Sequence, residues 1–296
     1  MIRKSKYSSQ IKILITGGYG FVGSHIFNFL KKKNYKVYRH SSKIHDLSNL
    51  KIFKNILIRC QPDIIIHLAA RTVSAIRTKK ENKLQYQNTT LPVINLVNSL
   101  KYCYKLKKII FFGTIEEYGL AKLPFSERQK LKPVSSYGLA KVKALQYVKK
   151  KIKNKVNYVW LRPPLIFGKN DNKRRFLGSL LNSLHCNKRI KVSLDSQIRD
   201  FLYVNDLCRF IKLLIIRKNI NINGHVLNVT SENWINLNFI FSYFSKNIKK
   251  KFDKLIINVP SKQHLNYYSS GDLFKLYFKK FKFTKFKLAL SQIFKK

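Results

Sequence analysis

Acidic residues are scarce in this chain of 296 residues, in which 13 Asp and Glu stand against 60 Lys and Arg, a formal net charge of +47. This balance favours an anionic partner such as a phosphorylated small molecule, nucleic acid or a membrane surface. The basic residues are spread over the whole chain, among many Asn, Ile, Tyr and Phe, as an AT-rich coding sequence would give. We therefore interpret most of the charge as compositional and expect no specific nucleic-acid partner.

Long apolar runs and close cysteine pairs are also absent. No stretch of about 18 uncharged apolar residues occurs, so a membrane-spanning helix is not expected. The first ten residues are polar and basic, unlike a cleaved signal peptide. The four cysteines form no CxxC pair, which is typical of reduced thiols in a cytoplasmic protein and indicates no metal site (Cys60, Cys103, Cys186 and Cys208).

Alternating strand and helix patterns predict the fold class. Short apolar, β-branched runs predict strands at 11–15, 37–38, 63–68, 108–112 and 158–161, and helical spacing predicts helices at 21–33, 84–106 and 136–150. This order is typical of an α/β fold with a Rossmann-type, doubly wound parallel sheet. Because the alternation loosens after Arg162, we expect a Rossmann domain at 1–167. Residues 168–296 should form mainly a smaller C-terminal lobe, with about 197–230 returning to the first domain.

Three glycines with GxxGxxG spacing lie between the first predicted strand and the first predicted helix. Gly17 permits a tight turn, Gly20 lets a phosphate approach the backbone, and Gly23 lets the helix pack on the strand. Unpaired N–H groups at the helix start then favour an anion. The motif predicts a site for the pyrophosphate of a dinucleotide.

The residues after the second predicted strand bear on cofactor choice, because an acid there holds a ribose hydroxyl and a base accommodates a 2′-phosphate. The stretch contains Arg39 and no acid, which favours NADP(H), with NAD(H) possible; the alternative is that Arg39 is one more basic residue of a basic protein. Asp46 follows closely. It either contacts the adenine or N-caps the helix-like stretch behind it.

Tyr137 and Lys141 are four residues apart in a predicted helix, so their side chains share one face. A nearby ammonium is expected to lower the pKa of a phenol. Thr114, at the end of the fourth predicted strand, is placed to donate to a substrate oxygen. Together the three residues favour hydride transfer between a nicotinamide and a carbonyl or alcohol, with Tyr137 passing the proton.

At this point the sequence resembles the extended short-chain dehydrogenase/reductases, the NAD-dependent epimerase/dehydratase family of nucleotide-sugar enzymes. The resemblance rests on the glycine turn, residues 67–70, Asn88, 113–119, Tyr137 with Lys141, and 197–206. It implies a nucleotide-sugar substrate bound by the smaller lobe, with its diphosphate held by Arg199. The alternative for Arg199 is a surface ion pair with Asp200. The resemblance also implies a possible homodimer formed through a helix bundle that includes the Tyr137 helix.

Departures from the family pattern narrow the reaction. Where the 4,6-dehydratases have Thr-Asp-Glu, this chain has Ile115 in the middle position, which cannot protonate a leaving hydroxyl and so disfavours water loss. Leu165 stands where many members have a substrate-binding Asn. No arginine follows Arg217, so diphosphate binding should depend on Arg199, with Lys262 or another lysine as a candidate helper.

Residues 167–206 resemble the NDP-4-keto-6-deoxyhexose reductases such as the CDP-abequose synthases. We therefore expect an NAD(P)H-dependent enzyme that reduces the 4-keto group of an NDP-deoxyhexose in surface-polysaccharide sugar biosynthesis. Glu116 is expected to face the sugar, although a structural role is an open alternative. One rival is a nucleotide-sugar 4-epimerase with tightly bound NAD. A remote rival is a non-enzymatic protein that binds nucleic acid or membrane through residues 246–254 and 279–296.

The predicted site has three parts. The catalytic residues are Thr114, Tyr137 and Lys141, and the substrate-binding residues are Glu116 and Arg199. The cofactor-binding residues are Gly17, Tyr19, Gly20, Phe21, Val22, Gly23, Arg39, Asp46, Leu47, Leu68, Ala69, Ala70, Tyr137, Lys141 and Pro164.

Overall fold

The computed structural model describes residues 10–40, 45–73, 76–153, 155–173, 175–186, 188–192, 197–217, 221–247, 256–258 and 266–294. The strands are β1 (Lys12–Thr16), β2 (Lys36–His40), β3 (Ile64–His67), β4 (Lys108–Phe112), β5 (Asn157–Arg162), β6 (Leu165–Phe167), β7 (Ile190–Val192), β8 (Ile198–Tyr203), β9 (Val226–Asn228), β10 (Trp234–Asn236) and β11 (Ile256–Asn258). The α-helices are α1 (Phe21–Lys31), α2 (Leu50–Cys60), α3 (Lys79–Gln85), α4 (Leu91–Ser99), α5 (Ser136–Ile152), α6 (Phe176–Cys186), α7 (Val204–Ile216), α8 (Leu237–Asn247), α9 (Asp272–Tyr277) and α10 (Phe286–Phe294).

The main sheet is six-stranded and parallel, in the order β2-β1-β3-β4-β5-β9. Its central strands are apolar on both faces, and successive residues point to opposite sides. Ile13, Ile64 and Ile110 face one core with α1 and α7, whereas Leu14 and Ile109 face a second core with α2, α4 and α5. The predicted Rossmann-type, doubly wound fold is confirmed.

The strand order reverses beside β1, which lies between β2 and β3. In sheets of this kind, ligands bind outside the carboxyl ends of the strands at such a reversal. The glycine-rich turn follows β1 directly and therefore lies at this edge. The ends of β3 and β4 lie along the same edge, because all three strands are parallel.

The prediction of one continuous helix at 84–106 was wrong, because the segment is divided into four parts. The chain forms α3, then a π-helical turn at Tyr86–Thr90, then α4, and ends in a 3-10 turn at Leu100–Tyr102. Pro92 at the start of α4 has no N–H and crowds the carbonyl four residues earlier, so the preceding turn widens. The five predicted strands and the helices at 21–33 and 136–150 are confirmed, with shifted ends.

The second half of the chain contributes to both parts of the molecule. β9 joins the main sheet beside β5, and α7 packs with α1 on one face of it. β8 pairs with β6 and β10 in a separate three-stranded sheet, and β7 pairs with β11. The division at residue 167 stays a prediction. Among the helices within the described residues, none is both long and apolar enough to cross a bilayer.

Candidate active site

The glycine-rich turn packs against the backbone that follows β3. Gly17 has φ +69°, and a Cβ there would lie 2.9 Å from the backbone nitrogen of Ala69. A Cβ on Gly23 would lie 2.3 Å from the carbonyl oxygen of Gly17, so the start of α1 also approaches the turn closely. The hydroxyl of Thr16 accepts from the Ala69 amide at 3.4 Å and shares a hydrogen bond of 2.9 Å with Nδ1 of His67. The predicted segment at 68–70 therefore lies beside the turn.

The first turn of α1 suits a diphosphate. Its N-cap is Gly20, which offers no side-chain acceptor to the helix N–H groups, and the turn carries no acidic residue. The unpaired N–H groups at Phe21 and Val22 and the positive end of the helix dipole can therefore serve an external anion. The residues present fit the pyrophosphate of a dinucleotide cofactor.

Arg39 lies at the mouth of this turn. Its guanidinium stacks between two aromatic rings, 4.0 Å from the centroid of Tyr19 and 4.3 Å from that of Phe27. A Cβ on Gly18 would lie 2.5 Å from the Arg39 Cβ, so the glycine makes room for the arginine stem. Stacking fixes the plane of the guanidinium and leaves its edge free for a phosphate.

Asp46 does not cap α2, so that alternative is wrong. The N-cap is Asn49, whose side chain accepts from the amides of Lys51 and Ile52. Asp46 instead accepts from the amide and hydroxyl of Ser48, at 2.8 and 2.6 Å, in the turn before the helix. Its contact with an adenine stays a prediction, and the neighbouring Leu47 is buried in the core.

Lys141 is buried on α5 and reaches the carboxyl edge of the sheet. Its Nζ donates to the carbonyl oxygen of Phe112, the last residue of β4, at 2.6 Å, and lies 5.7 Å from the ring centroid of Tyr137. Burial lowers the pKa of Lys141 to about 8, and the carboxylate of Glu117 opposes this shift. Its charge in turn lowers the pKa of His67, at the end of β3, where burial is the larger cause.

The expectation that Lys141 lowers the pKa of Tyr137 was wrong for this structure. Burial raises the pKa of Tyr137, and the carboxylates of Glu116 and Glu117 raise it further, against a lowering by Arg175. The ammonium group of Lys141 is directed at a backbone carbonyl instead. Tyr137 therefore remains a protonated phenol throughout the neutral range.

Thr114 N-caps a 3-10 turn, Ile115–Glu117, at the end of β4. Its hydroxyl oxygen accepts from the Glu116 amide at 3.3 Å, which leaves the hydroxyl proton for an external acceptor. A Cβ on Gly138 would lie 2.5 Å from the Glu116 carbonyl oxygen, so α5 begins in direct contact with this turn. The Ile115 side chain packs in a small apolar cluster with Tyr118.

The charges of the two predicted substrate residues, Glu116 and Arg199, both act on Tyr267. Glu116 accepts from the hydroxyl of Ser135 at 2.6 Å, and its charge raises the pKa of both Tyr137 and Tyr267, for which burial is the larger cause. The guanidinium of Arg199 lies 5.9 Å from the Tyr267 ring centroid. Glu116 thus acts electrostatically on Tyr137 and on Tyr267, and Tyr267 lies beside Arg199.

The alternative of a surface ion pair between Arg199 and Asp200 is wrong. Asp200 is fully buried, and its Oδ2 accepts from the hydroxyls of Thr230 at 2.6 Å and Ser269 at 3.1 Å. Successive residues of β8 point to opposite faces, so Asp200 faces the interior. Burial raises the pKa of Asp200 to about 7.

Arg175 and Tyr267 are site residues that the sequence does not single out. Arg175 forms an ion pair with Asp171 at 3.5 Å and lies 5.9 Å from the ring centroid of Phe21, at the start of α1. Its positive charge lowers the pKa of Tyr137, against the larger effect of burial. In the sequence, Arg175 is only one of many basic residues that follow the fifth strand, so nothing marks it as part of a site. Lys262, the candidate helper for diphosphate binding, lies outside the described residues.

Comparison with known proteins decides the family. The profile described as "NAD dependent epimerase/dehydratase family" matches residues 13–230. The chain belongs to the NAD-dependent epimerase/dehydratase family. It is thus an enzyme of a family whose matched members include epimerases, dehydratases and dehydrogenases.

Several curated members are similar over most of the chain. A dTDP-D-glucose 4,6-dehydratase of Dictyostelium discoideum is 28% identical over 75% of this chain and 58% of its own length. A GDP-6-deoxy-D-talose 4-dehydrogenase of Aggregatibacter actinomycetemcomitans is 28% identical over 72% of this chain and 74% of its own. A CDP-abequose synthase of Salmonella muenchen is 24% identical over 79% and 80%. Among solved structures, the UDP-glucose 4-epimerase of Thermotoga maritima superposes with a TM-score of 0.81 at 20% identity, over 96% of this chain and 98% of its own.

Proposed function

We propose that this protein is an NAD(P)H-dependent reductase of the 4-keto group of a nucleotide-linked deoxyhexose. The observation that carries the proposal is the placement of Tyr137 on α5, one helical turn from Lys141, whose Nζ lies at the same sheet edge as the glycine-rich turn. Reduction of a ketone needs a proton donor, whereas oxidation of an alcohol needs a base. A raised pKa at Tyr137 favours the first role.

The three catalytic residues act on the carbonyl oxygen of the substrate. Thr114 donates a hydrogen bond that orients the carbonyl, and Tyr137 transfers its phenolic proton to the oxygen as the C–O double bond becomes a single bond. When bound, the nicotinamide cofactor supplies the hydride to the carbonyl carbon. Lys141, with Nζ held at the strand end, is placed to bind the nicotinamide ribose.

NADPH is the proposed cofactor. The family is NAD-dependent by description, and the glycine-rich turn fits the pyrophosphate of either cofactor. Arg39 supports the choice of NADPH because a guanidinium held between Tyr19 and Phe27 offers a fixed pair of donors to the 2′-phosphate.

A nucleotide diphosphate is the proposed anchor of the substrate. Arg199 presents a guanidinium beside Tyr267, and Arg175 adds a second positive charge near Tyr137. Ile115 stands where the dehydratases have an Asp and cannot protonate a leaving hydroxyl, which disfavours water loss. Leu165 stands where many members have an Asn and cannot make that polar contact with the substrate. The matched CDP-abequose synthase and GDP-6-deoxy-D-talose 4-dehydrogenase support a deoxyhexose.

A 4-epimerase is the second candidate, and the matched epimerases favour it. An epimerase must first remove a proton from a sugar hydroxyl, for which a protonated Tyr137 is poorly prepared. It would also retain NAD through purification.

The test is incubation of the purified protein with NDP-4-keto-6-deoxyhexoses that differ in base and sugar, with NADPH or NADH. We expect stoichiometric loss of nicotinamide absorbance and a 4-hydroxy product, faster with NADPH. Copurified NAD together with interconversion of 4-hydroxy epimers, without net cofactor consumption, would replace the reductase by the epimerase.

A further inference from the structure

Glu117 is a fully buried carboxylate directly behind the candidate active site, and the mechanism above gives it no role. Its Oε1 accepts from the backbone amide of Thr114 and from Nε1 of Trp160, each at 3.0 Å. Its Oε2 accepts from Nε of Arg162 at 2.7 Å. The side chains of Glu117 and Arg162 lie 2.7 Å apart and are 0% and 2% exposed.

The carboxylate can occupy this place only because Gly113 has no side chain. A Cβ on Gly113 would lie 2.1 Å from both Oε1 of Glu117 and Nε1 of Trp160. Gly113 immediately precedes Thr114, so the carboxylate lies against the backbone that leads from β4 into the site.

Arg162 connects this carboxylate to two more strand ends. It closes β5, and its guanidinium lies 4.5 Å from the ring centroid of Tyr118. The Tyr118 hydroxyl donates to Oδ1 of Asn228, the last residue of β9, at 2.8 Å. Buried ion pairs add little stability compared with apolar packing, so a charged network at this edge indicates another use.

We propose that Glu117 is a positioning residue of the reductase, which holds Thr114 in place by accepting a hydrogen bond from its backbone amide. The proposal rests on the proposed function, because it assigns the orienting hydroxyl to Thr114.

Two double variants separate the hydrogen bond from the charge. Glu117→Gln with Arg162→Met keeps an amide oxygen for Thr114 and removes both buried charges. Glu117→Met with Arg162→Met removes the acceptor as well. Glu127→Gln is the matched control, since Glu127 is a partly buried carboxylate that accepts from another backbone amide, that of Asn228, at 2.8 Å.

Hydrogen exchange of the Thr114 amide tests whether Glu117 holds Thr114 in place, without reference to activity. We expect slow exchange in the unmodified protein and in the Gln variant. We expect exchange at least about tenfold faster in the Met variant, together with a fall in kcat. Rapid exchange of this amide in the unmodified protein, or equal exchange in the Met and control variants, would overturn the proposal. If Tyr137→Phe is fully active, the proposed function itself has failed, which is a separate outcome.

Discussion

The Nζ of Lys141 and the carbonyl oxygen of Phe112 are joined by a hydrogen bond of 2.6 Å. This bond fixes a helix side chain to the end of the fourth strand, two residues before Thr114. The amine of one element and the hydroxyl of another are thus held at one strand end. This end lies on the same edge of the sheet as the turn after β1, so the proposed catalytic residues and the proposed dinucleotide site share that edge.

Tyr137→Phe should lower kcat by about 10²- to 10⁴-fold, because the phenolic proton is the one transferred to the product. Binding of NADPH, measured by fluorescence titration, should not change. Tyr147→Phe is the control, since its hydroxyl lies on the same helix but binds Asn98 on the surface. Equal turnover in the two variants would remove Tyr137 from the mechanism.

Arg39→Ala should raise the KM for NADPH by about 10- to 100-fold and leave the KM for NADH nearly unchanged, because a charged hydrogen bond to the 2′-phosphate is lost. Lys36→Ala removes an exposed charge from the same strand and is the control for net charge. Steady-state kinetics with both cofactors measures the effect. An enzyme that prefers NADH before any substitution contradicts the assignment.

Arg199→Ala should raise the KM for the nucleotide sugar by about 10- to 100-fold with a smaller change in the KM for NADPH. Arg199→Lys should recover only part of the loss, since a single ammonium cannot replace the guanidinium fork. The exposed Arg217 supplies the control, Arg217→Ala. Inhibition constants for nucleoside diphosphates should follow the same order, and an unchanged constant in Arg199→Ala would exclude this arginine from diphosphate binding.

Asp200 should make the protein less stable as the pH rises from about 4 to about 7. Its carboxyl ionises at about 7 in the folded protein and near 3.8 when unfolded, so the folded state holds an extra proton in that range. The full difference corresponds to about 4 kcal/mol. The free energy of unfolding of Asp200→Asn, relative to that of the unmodified protein, should therefore be higher at pH 8 than at pH 5. Urea unfolding at the two pH values measures this, and a difference independent of pH would show that Asp200 is ionised throughout.

Local patterns were sufficient for the elements that position the site. The glycine spacing and the apolar runs identify β1, α1 and the ends of β3 and β4, because strand and helix periods are local properties. The N-cap of α2 was harder to predict, since Asp46 and Asn49 lie three residues apart and both residue types are good N-caps. Which of them caps the helix depends on where the helix begins, which the sequence does not fix. Arg175 and Tyr267 could not be found, because their roles depend on which distant segments fold against the cleft.

The electrostatics of the site were the least predictable part. Sequence places Tyr137 and Lys141 on one face, and that spacing suggests a lowered pKa for the phenol. Burial reverses the direction, and the ammonium binds a backbone carbonyl instead. The contacts of Glu117 were equally hidden in the sequence, because two of its three donors, Trp160 and Arg162, come from β5, more than 40 residues away.

Gly138 brings the first turn of α5 against the carbonyl of Glu116, at a separation that no side chain would permit. Helix α5 and the turn after β4 are therefore packed without room for a side chain at position 138. Any residue larger than glycine there would push Tyr137 and Thr114 apart, so the separation of the two proposed catalytic residues depends on an atom that is missing between them.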